Sequence, residues 1–168
     1  VYSILDMIHH VNDYPEDMTG TKVAVIGGGA VGLDVVEYFA PRGASVSIVE
    51  VLPAIGNGID PISKVGTFAM MDQYGVRQMT KTALKEVRPD SFYVETPEGP
   101  EVLEFDYGFV CLGMKSTSPV LPDIQAAFED DNNVEIITIG DSVRARRIIE
   151  GTDEGRNILN TLEKRGYL

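Results

Sequence analysis

The chain has 168 residues, enough for one ordinary domain and a piece of another, and its 43% hydrophobic and 24% charged residues are the balance of a soluble globular protein. A formal net charge of −12 argues against nucleic acid or an anionic membrane surface as partner, and no apolar run approaches the roughly 20 residues of a membrane span. A single cysteine, Cys111, excludes an intramolecular disulfide, a redox-active pair and a four-cysteine metal site, and is consistent with a cytoplasmic setting.

The chain opens at Val1 rather than methionine, shows no signal peptide, and reads as a piece of something longer. Ser3 is placed to cap a short helix over Ile4–Ile8, and Asn12, Asp13 and Pro15 end it. His9 and His10 do not form a metal pair: adjacent helix residues point in different directions, and no third ligand lies nearby. A first apolar strand, Lys22–Gly27, runs into a glycine turn. A helix follows from Ala30 to about Ala40, with Val31, Val35, Val36 and Phe39 as its core stripe, and Pro41 and Gly43 stop it. Asp34 and Glu37 on that helix read as structural acids.

Ser45–Glu50 is a second strand. After the loop 51–58, Asp60 and Pro61 supply an N-cap and a first-turn proline for a helix to about Tyr74, closed by Gly75 and filled by Met70 and Met71. Val76–Met79 reads as a third strand. The period then changes: Ala83–Val87, Ser91–Glu95 and Glu101–Phe105 form a meander, with turns at Pro89–Asp90 and Pro97–Pro100. Tyr107–Leu112 has the unbroken apolar character of a buried parallel strand and contains Cys111, read as a buried residue. Beyond a connector at Ser116–Pro122, we expect a short helix over Ile124–Glu129 and a last strand over Val134–Ile139. A helical tail follows over Arg144–Lys164, weakened by Gly151 and Gly155. The fold class expected is α/β: a three-layer, Rossmann-like parallel sheet with a β-meander crossover.

The chemistry concentrates where the first strand opens into Gly27-x-Gly29-x-x-Gly32. Gly27 makes the tight turn, Gly29 has no side chain to obstruct a pyrophosphate, and Gly32 allows close helix packing. The N–H groups and positive end of the helix then face the phosphates. The acid Glu50 ends the second strand at the distance this fingerprint requires. Its carboxylate accepts hydrogen bonds from an unmodified adenosine ribose and repels a 2′-phosphate, while residues 51–56 contain no arginine. NADH is therefore favoured over NADPH. FAD at the same glycine loop is the rival ligand, because its ribose is read in the same way. A further glycine–acid pair, Gly140 and Asp141, has the chemistry to accept hydrogen bonds from sugar-alcohol hydroxyls, though such pairs are also ordinary turn and cap residues. Arg144, Arg146 and Arg147 read as a charge-balancing run. No complete catalytic centre is visible, so a free-standing nucleotide-sensing or interaction module is the alternative from another class.

Together the stretch 23–34 with its three glycines, Val49–Glu50, the meander, Phe105–Met114 and Ile137–Asp141 resemble the pyridine-nucleotide region of two-dinucleotide-binding flavoproteins. The run Gly140–Gly155 makes the chain similar to the carboxy-terminal part of the NADH:flavin oxidoreductases that include 2-enoate reductase and 2,4-dienoyl-CoA reductase. That resemblance implies an NADH-binding domain at residues 21–117, with 1–20 and 118–168 belonging to a discontinuous FAD-binding domain. It implies that Gly27, Gly28, Gly29, Ala30, Val31 and Gly32 hold the pyrophosphate and Glu50 the ribose. Gly113 would lie beside the nicotinamide half, and Gly140 and Asp141 would contact FAD. In such enzymes hydride passes from NADH to FAD, then electrons pass through a four-iron cluster to FMN in a TIM barrel, which reduces an activated carbon–carbon double bond. The implied partners are therefore the rest of the FAD domain and an FMN-binding barrel, with no nucleic acid or membrane. Barrel, cluster cysteines and the FAD domain's own glycine fingerprint are absent from this sequence, which implies NADH binding without complete turnover. Two positions depart from the usual pattern: Gly151 stands in place of alanine and Asp34 in place of glutamate.

Overall fold

The computed structural model describes residues 1–131 and 133–166. They form two compact units, Val1–Gly113 and Met114–Leu168.

The first unit runs α1 (Ile4–His9), β1 (Lys22–Ile26), α2 (Ala30–Phe39), β2 (Ser45–Val49), α3 (Pro61–Gln73), β3 (Arg77–Met79), β4 (Ala83–Val87), β5 (Ser91–Thr96), β6 (Gly99–Glu104) and β7 (Tyr107–Val110). A four-stranded parallel sheet has the order β3-β2-β1-β7, and the meander makes a separate antiparallel sheet, β4-β5-β6. The expected α/β fold, Rossmann-like with a meander crossover, is thus the fold observed.

Alternation along β1 explains the layers, since successive side chains of a strand point to opposite faces. Val23 and Val25 join Val35, Val36, Phe39 and Met71 in one core, against α2 and α3. Ala24 and Ile26 join Phe92, Val94, Leu103 and Phe105 in a second core, beneath the meander. A sheet covered on both faces has no use for alternating polar residues, which is why β1 reads as an apolar run. Two ion pairs fasten the meander's last strand to the parallel sheet, Arg77 with Glu101 and Lys22 with Glu104.

The caps behave as their chemistry requires. Ser3 and Asp6 make a reciprocal capping box on α1. The Asp60 carboxylate accepts the Ile62 and Ser63 amides at 3.1 and 2.9 Å, and Pro61 opens α3. α2 ends in a short 3₁₀ turn over Ala40–Arg42 before Gly43. The buried face of α2 is wider than the spacing predicts: Leu33 and Gly32 are buried with Val35, Val36 and Phe39, whereas Val31 is half-buried. Met71 is fully buried, as expected of core filler. His10 pairs with Asp13 at 2.8 Å on an exposed surface, and among the described residues no cluster could hold a metal ion.

Lys81, in the turn between β3 and β4, is the one described non-glycine residue with a left-handed backbone, φ +52°. An L-residue there costs about 1–2 kcal/mol, partly offset by the lower unfolded-state freedom it has compared with glycine. We expect Lys81→Gly to raise stability by up to about 1 kcal/mol in urea unfolding; a lower midpoint would contradict the strain.

The second unit contains α4 (Leu121–Ala127), a 3₁₀ turn at Gly140–Ser142, α5 (Ile148–Arg156) and α6 (Ile158–Lys164). α4 begins three residues earlier than expected because Pro122 lies in its first turn instead of ending the connector. Val134–Ile139 is not a strand: a strand is defined by its neighbour, and no described segment of this unit pairs with it. The expected single tail helix is broken at Asn157. None of the described residues in this unit is buried. No helix among the described residues is long and apolar enough to cross a membrane.

Candidate functional site

A cavity of about 650 Å³ opens in the first unit at the carboxyl ends of β1 and β2, within the 300–1,000 Å³ usual for ligand pockets. Its floor is the glycine turn. Gly27 has φ +110°, and a Cβ there would stand 2.3 Å from the Cys111 carbonyl oxygen. A Cβ on Gly32 would stand 1.8 Å from the Gly27 carbonyl oxygen, which is the close helix approach the fingerprint calls for. Gly29 differs: nothing lies within 4 Å of where its Cβ would be, and it lines the cavity. That open space beside the first turn of α2 is shaped for an anion, because the leading amides of a helix have no intrahelical partner.

Gly27, Gly29, Ala30, Val31, Glu50 and Gly113 all line this cavity. Gly28 and Gly32 support it from behind, through the bonds of Gly28 and the helix approach of Gly32. Glu50 is the only charged residue among those lining the cavity. Its Oε2 accepts the Gly28 amide at 2.7 Å and its Oε1 the Leu52 amide at 2.9 Å. A carboxylate has about four lone-pair positions, so two remain for a ligand's hydroxyls. The donor set suits a dinucleotide: backbone amides for a pyrophosphate, one carboxylate for a ribose, and apolar walls for flat rings.

Sequence reasoning missed those walls. Val51 and Leu52 stand after β2, and Thr82, Ala83 and Leu84 come from the start of the meander. No motif marks them; the meander reaches the cavity only because β3 hands the chain over beside Glu50. There the Glu50 N–H donates to Met79 and the Glu50 carbonyl accepts from Thr82.

Cys111 is buried as expected, at 8% exposed, but it lies one residue beyond the end of β7, which stops at Val110 short of the expected Leu112, and it lines the cavity. Burial, and secondarily the charge of Asp34, pushes its thiol pKa up to about 11. The thiolate is the reactive form, so at pH 8 only about one molecule in a thousand presents it. We expect a thiol reagent to label the folded chain at least ~10-fold more slowly than the urea-unfolded chain at that pH. Equal rates would contradict this burial. Of the helix acids, Glu37 accepts the buried Thr67 hydroxyl at 2.6 Å and so ties α2 to α3.

Gly140 and Asp141 belong to the second unit. The Gly140 amide donates to Glu154 at 2.6 Å, the Asp141 carboxylate accepts the Arg146 amide at 3.0 Å, and Gly140, with φ +60°, packs against Gly151. Arg146 pairs with Glu154 and Arg147 with Glu150, the charge balancing expected of that basic run.

Comparison with known proteins places this geometry. The bilirubin reductase of Mediterraneibacter gnavus (strain CC55_001C) is 31% identical over 148 residues, 88% of this chain and 22% of that protein. The NADH oxidase of Thermoanaerobacter brockii is 29% identical over 134 residues, 80% of this chain and 20% of its own length. Among solved structures, 2-naphthoyl-CoA reductase in its 2-naphthoyl-CoA complex superposes with a TM-score of 0.68 at 22% identity, over 92% of this chain and 22% of that one. The chain thus spans about a fifth of the length of the curated relatives it matches, and it corresponds to part of an oxidoreductase. The family model for pyridine nucleotide-disulphide oxidoreductases matches residues 1–139, and the chain belongs to that family.

Proposed function

We propose that the chain is the NADH-binding part of a flavin-dependent reductase of the enoate and dienoyl-CoA reductase type. The observation that carries the choice of NADH is Glu50, the single charged group lining the cavity, with no lysine or arginine on its walls to receive a 2′-phosphate. Bound NADH supplies a hydride, which the flavin of the complete enzyme takes up. This chain's residues bind and orient. The amides of the turn and first helical turn hold the pyrophosphate, Glu50 accepts the ribose hydroxyls, and Cys111–Gly113 form the wall beside the nicotinamide half.

In this reading residues 21–117 are the NADH-binding domain. Residues 1–20 and 118–168, the latter with Gly140 and Asp141 as flavin contacts, are segments of a discontinuous FAD-binding domain whose remainder is carried elsewhere in the protein. A second unit with no buried residue and no strand pairing among its described residues fits an incomplete domain. The assignment to double-bond reduction, with FMN in a barrel and a four-iron cluster between the flavins, is supported by the sequence resemblance and by the name of a curated relative, a bilirubin reductase, beside a fold shared with a naphthoyl-CoA reductase. A cytoplasmic setting fits this chemistry.

Calorimetric titration of the chain with NADH and NADPH tests the reading: NADH should bind, and NADPH clearly more weakly. Equal affinities would reject the preference, and no binding of either would reject the site. Protein that purifies yellow, with flavin at the Gly27–Gly32 loop, would favour FAD as the ligand of this cavity.

A further inference from the structure

The loop 51–58 connects β2 to α3 and is bonded to the glycine turn. The Gly56 N–H donates to the Gly28 carbonyl at 2.7 Å, while the Gly28 N–H donates to the Glu50 carboxylate, also at 2.7 Å. One residue of the glycine turn is therefore gripped at both of its backbone groups by the segment that follows the second strand. The grip is anchored. Ile55 is 2% exposed and belongs to the core beneath α2 and α3. The Leu52 carbonyl is held by the Lys81 amide at 3.0 Å, so the loop is braced from the β3–β4 turn as well.

We propose that Gly56 is a positioning residue for the dinucleotide: by holding the Gly28 carbonyl, it sets the direction of the Gly29 amide. The Gly28 carbonyl and the Gly29 N–H share one planar trans peptide, in which the two groups point in opposite directions. With the carbonyl drawn to the loop, the Gly29 N–H faces away from it, and Gly29 is the glycine whose surroundings are open and which lines the cavity. Only glycine suits position 56. Its φ is +75°, and a Cβ would lie 3.2 Å from both Lys64 Cε and Phe68 Cε2 on α3. Gly56 touches no ligand in this scheme; it acts through the Gly28 peptide.

The inference rests on the cavity being the NADH site, and the experiment separates the two. Gly58 is the internal control: it lies two residues on, has φ +84°, has nothing within 4 Å of its Cβ position, and makes no bond to the turn. Gly58→Ala therefore introduces the same kind of backbone strain without touching the grip. We expect Gly56→Ala to weaken NADH binding ~10-fold or more in calorimetry and Gly58→Ala by no more than about 2-fold, the former being the value of one misplaced hydrogen bond. In the ligand-free wild-type chain, the Gly56 amide should exchange with solvent at least ~100-fold more slowly than an unstructured amide, as read by NMR. Equal effects of the two variants, or fast exchange at Gly56, would overturn the inference; should Gly56→Ala fail to fold, the exchange measurement alone decides. A wild-type chain that binds no NADH rejects the functional reading and this inference with it. Wild-type binding with an unaffected Gly56→Ala variant rejects this inference alone.

Discussion

Gly32→Ala should abolish NADH binding and cost the first unit about 3 kcal/mol or more, at the upper end of what overpacking does. The new Cβ would stand 1.8 Å from the Gly27 carbonyl oxygen and 3.0 Å from its carbon, both backbone atoms with no rotamer to change. Relief requires α2 to move off β1. That opens the core in which Val35, Val36 and Phe39 lie fully buried against Val25 and Phe109. The same movement carries the leading amides of α2 away from the cavity, so stability and affinity fall together. A domain of this size has about 5–15 kcal/mol in total, so the loss should be plain in a urea midpoint. Gly29→Ala should behave in the opposite way. Its φ of −80° suits any residue and its Cβ meets nothing within 4 Å, so stability should be unchanged. The added methyl occupies the space where the pyrophosphate approaches, so NADH affinity should fall while the midpoint holds. Gly32→Ala with a wild-type midpoint, or Gly29→Ala with wild-type affinity, would contradict these assignments.

How much of this could be seen in the sequence follows from the range of the interactions. The strand, glycine turn, helix and second strand were legible because each is fixed by residues within a few positions: apolar runs, Gly27 and Gly32, Asp60 and Pro61. The meander was legible as three strands from its turn residues. That its Leu84 would line a cavity begun at Ile26 and Gly27 was not, since only the assembled sheet brings the two together. Val134–Ile139 shows the reverse error. Its β-branched composition is that of a strand, but backbone donors and acceptors make a strand only when a neighbour answers them. The grip of Gly56 on Gly28 lay beyond reach for the same reason, because a backbone bond across 28 residues leaves no mark on composition.

Glu50→Gln, nearly isosteric, should be no gentler than Glu50→Ala. Both carboxylate oxygens already accept a backbone N–H, one from Gly28 and one from Leu52, and the remaining lone pairs are those offered to the ribose. A glutamine has one oxygen. Its NH₂ must then oppose either the Gly28 or the Leu52 donor, so one end of the turn is pushed away whichever way the amide is flipped. Hydrogen bonds to a charged acceptor are worth about 1.5–3 kcal/mol each, so we expect both variants to lose at least ~30-fold in NADH affinity. The preference between cofactors should move separately. Removing the carboxylate removes its repulsion of a 2′-phosphate, so the NADH-to-NADPH ratio should collapse toward one even as both bind weakly. Glu50→Asp keeps the charge but is one methylene short of the two amides, and should retain the preference for NADH while losing affinity. A glutamine variant that binds NADH like the wild type would show that Glu50 does not bridge turn, loop and ribose. A variant that loses affinity yet keeps the preference would place the rejection of the 2′-phosphate in the apolar walls of Val51 and Leu52 instead.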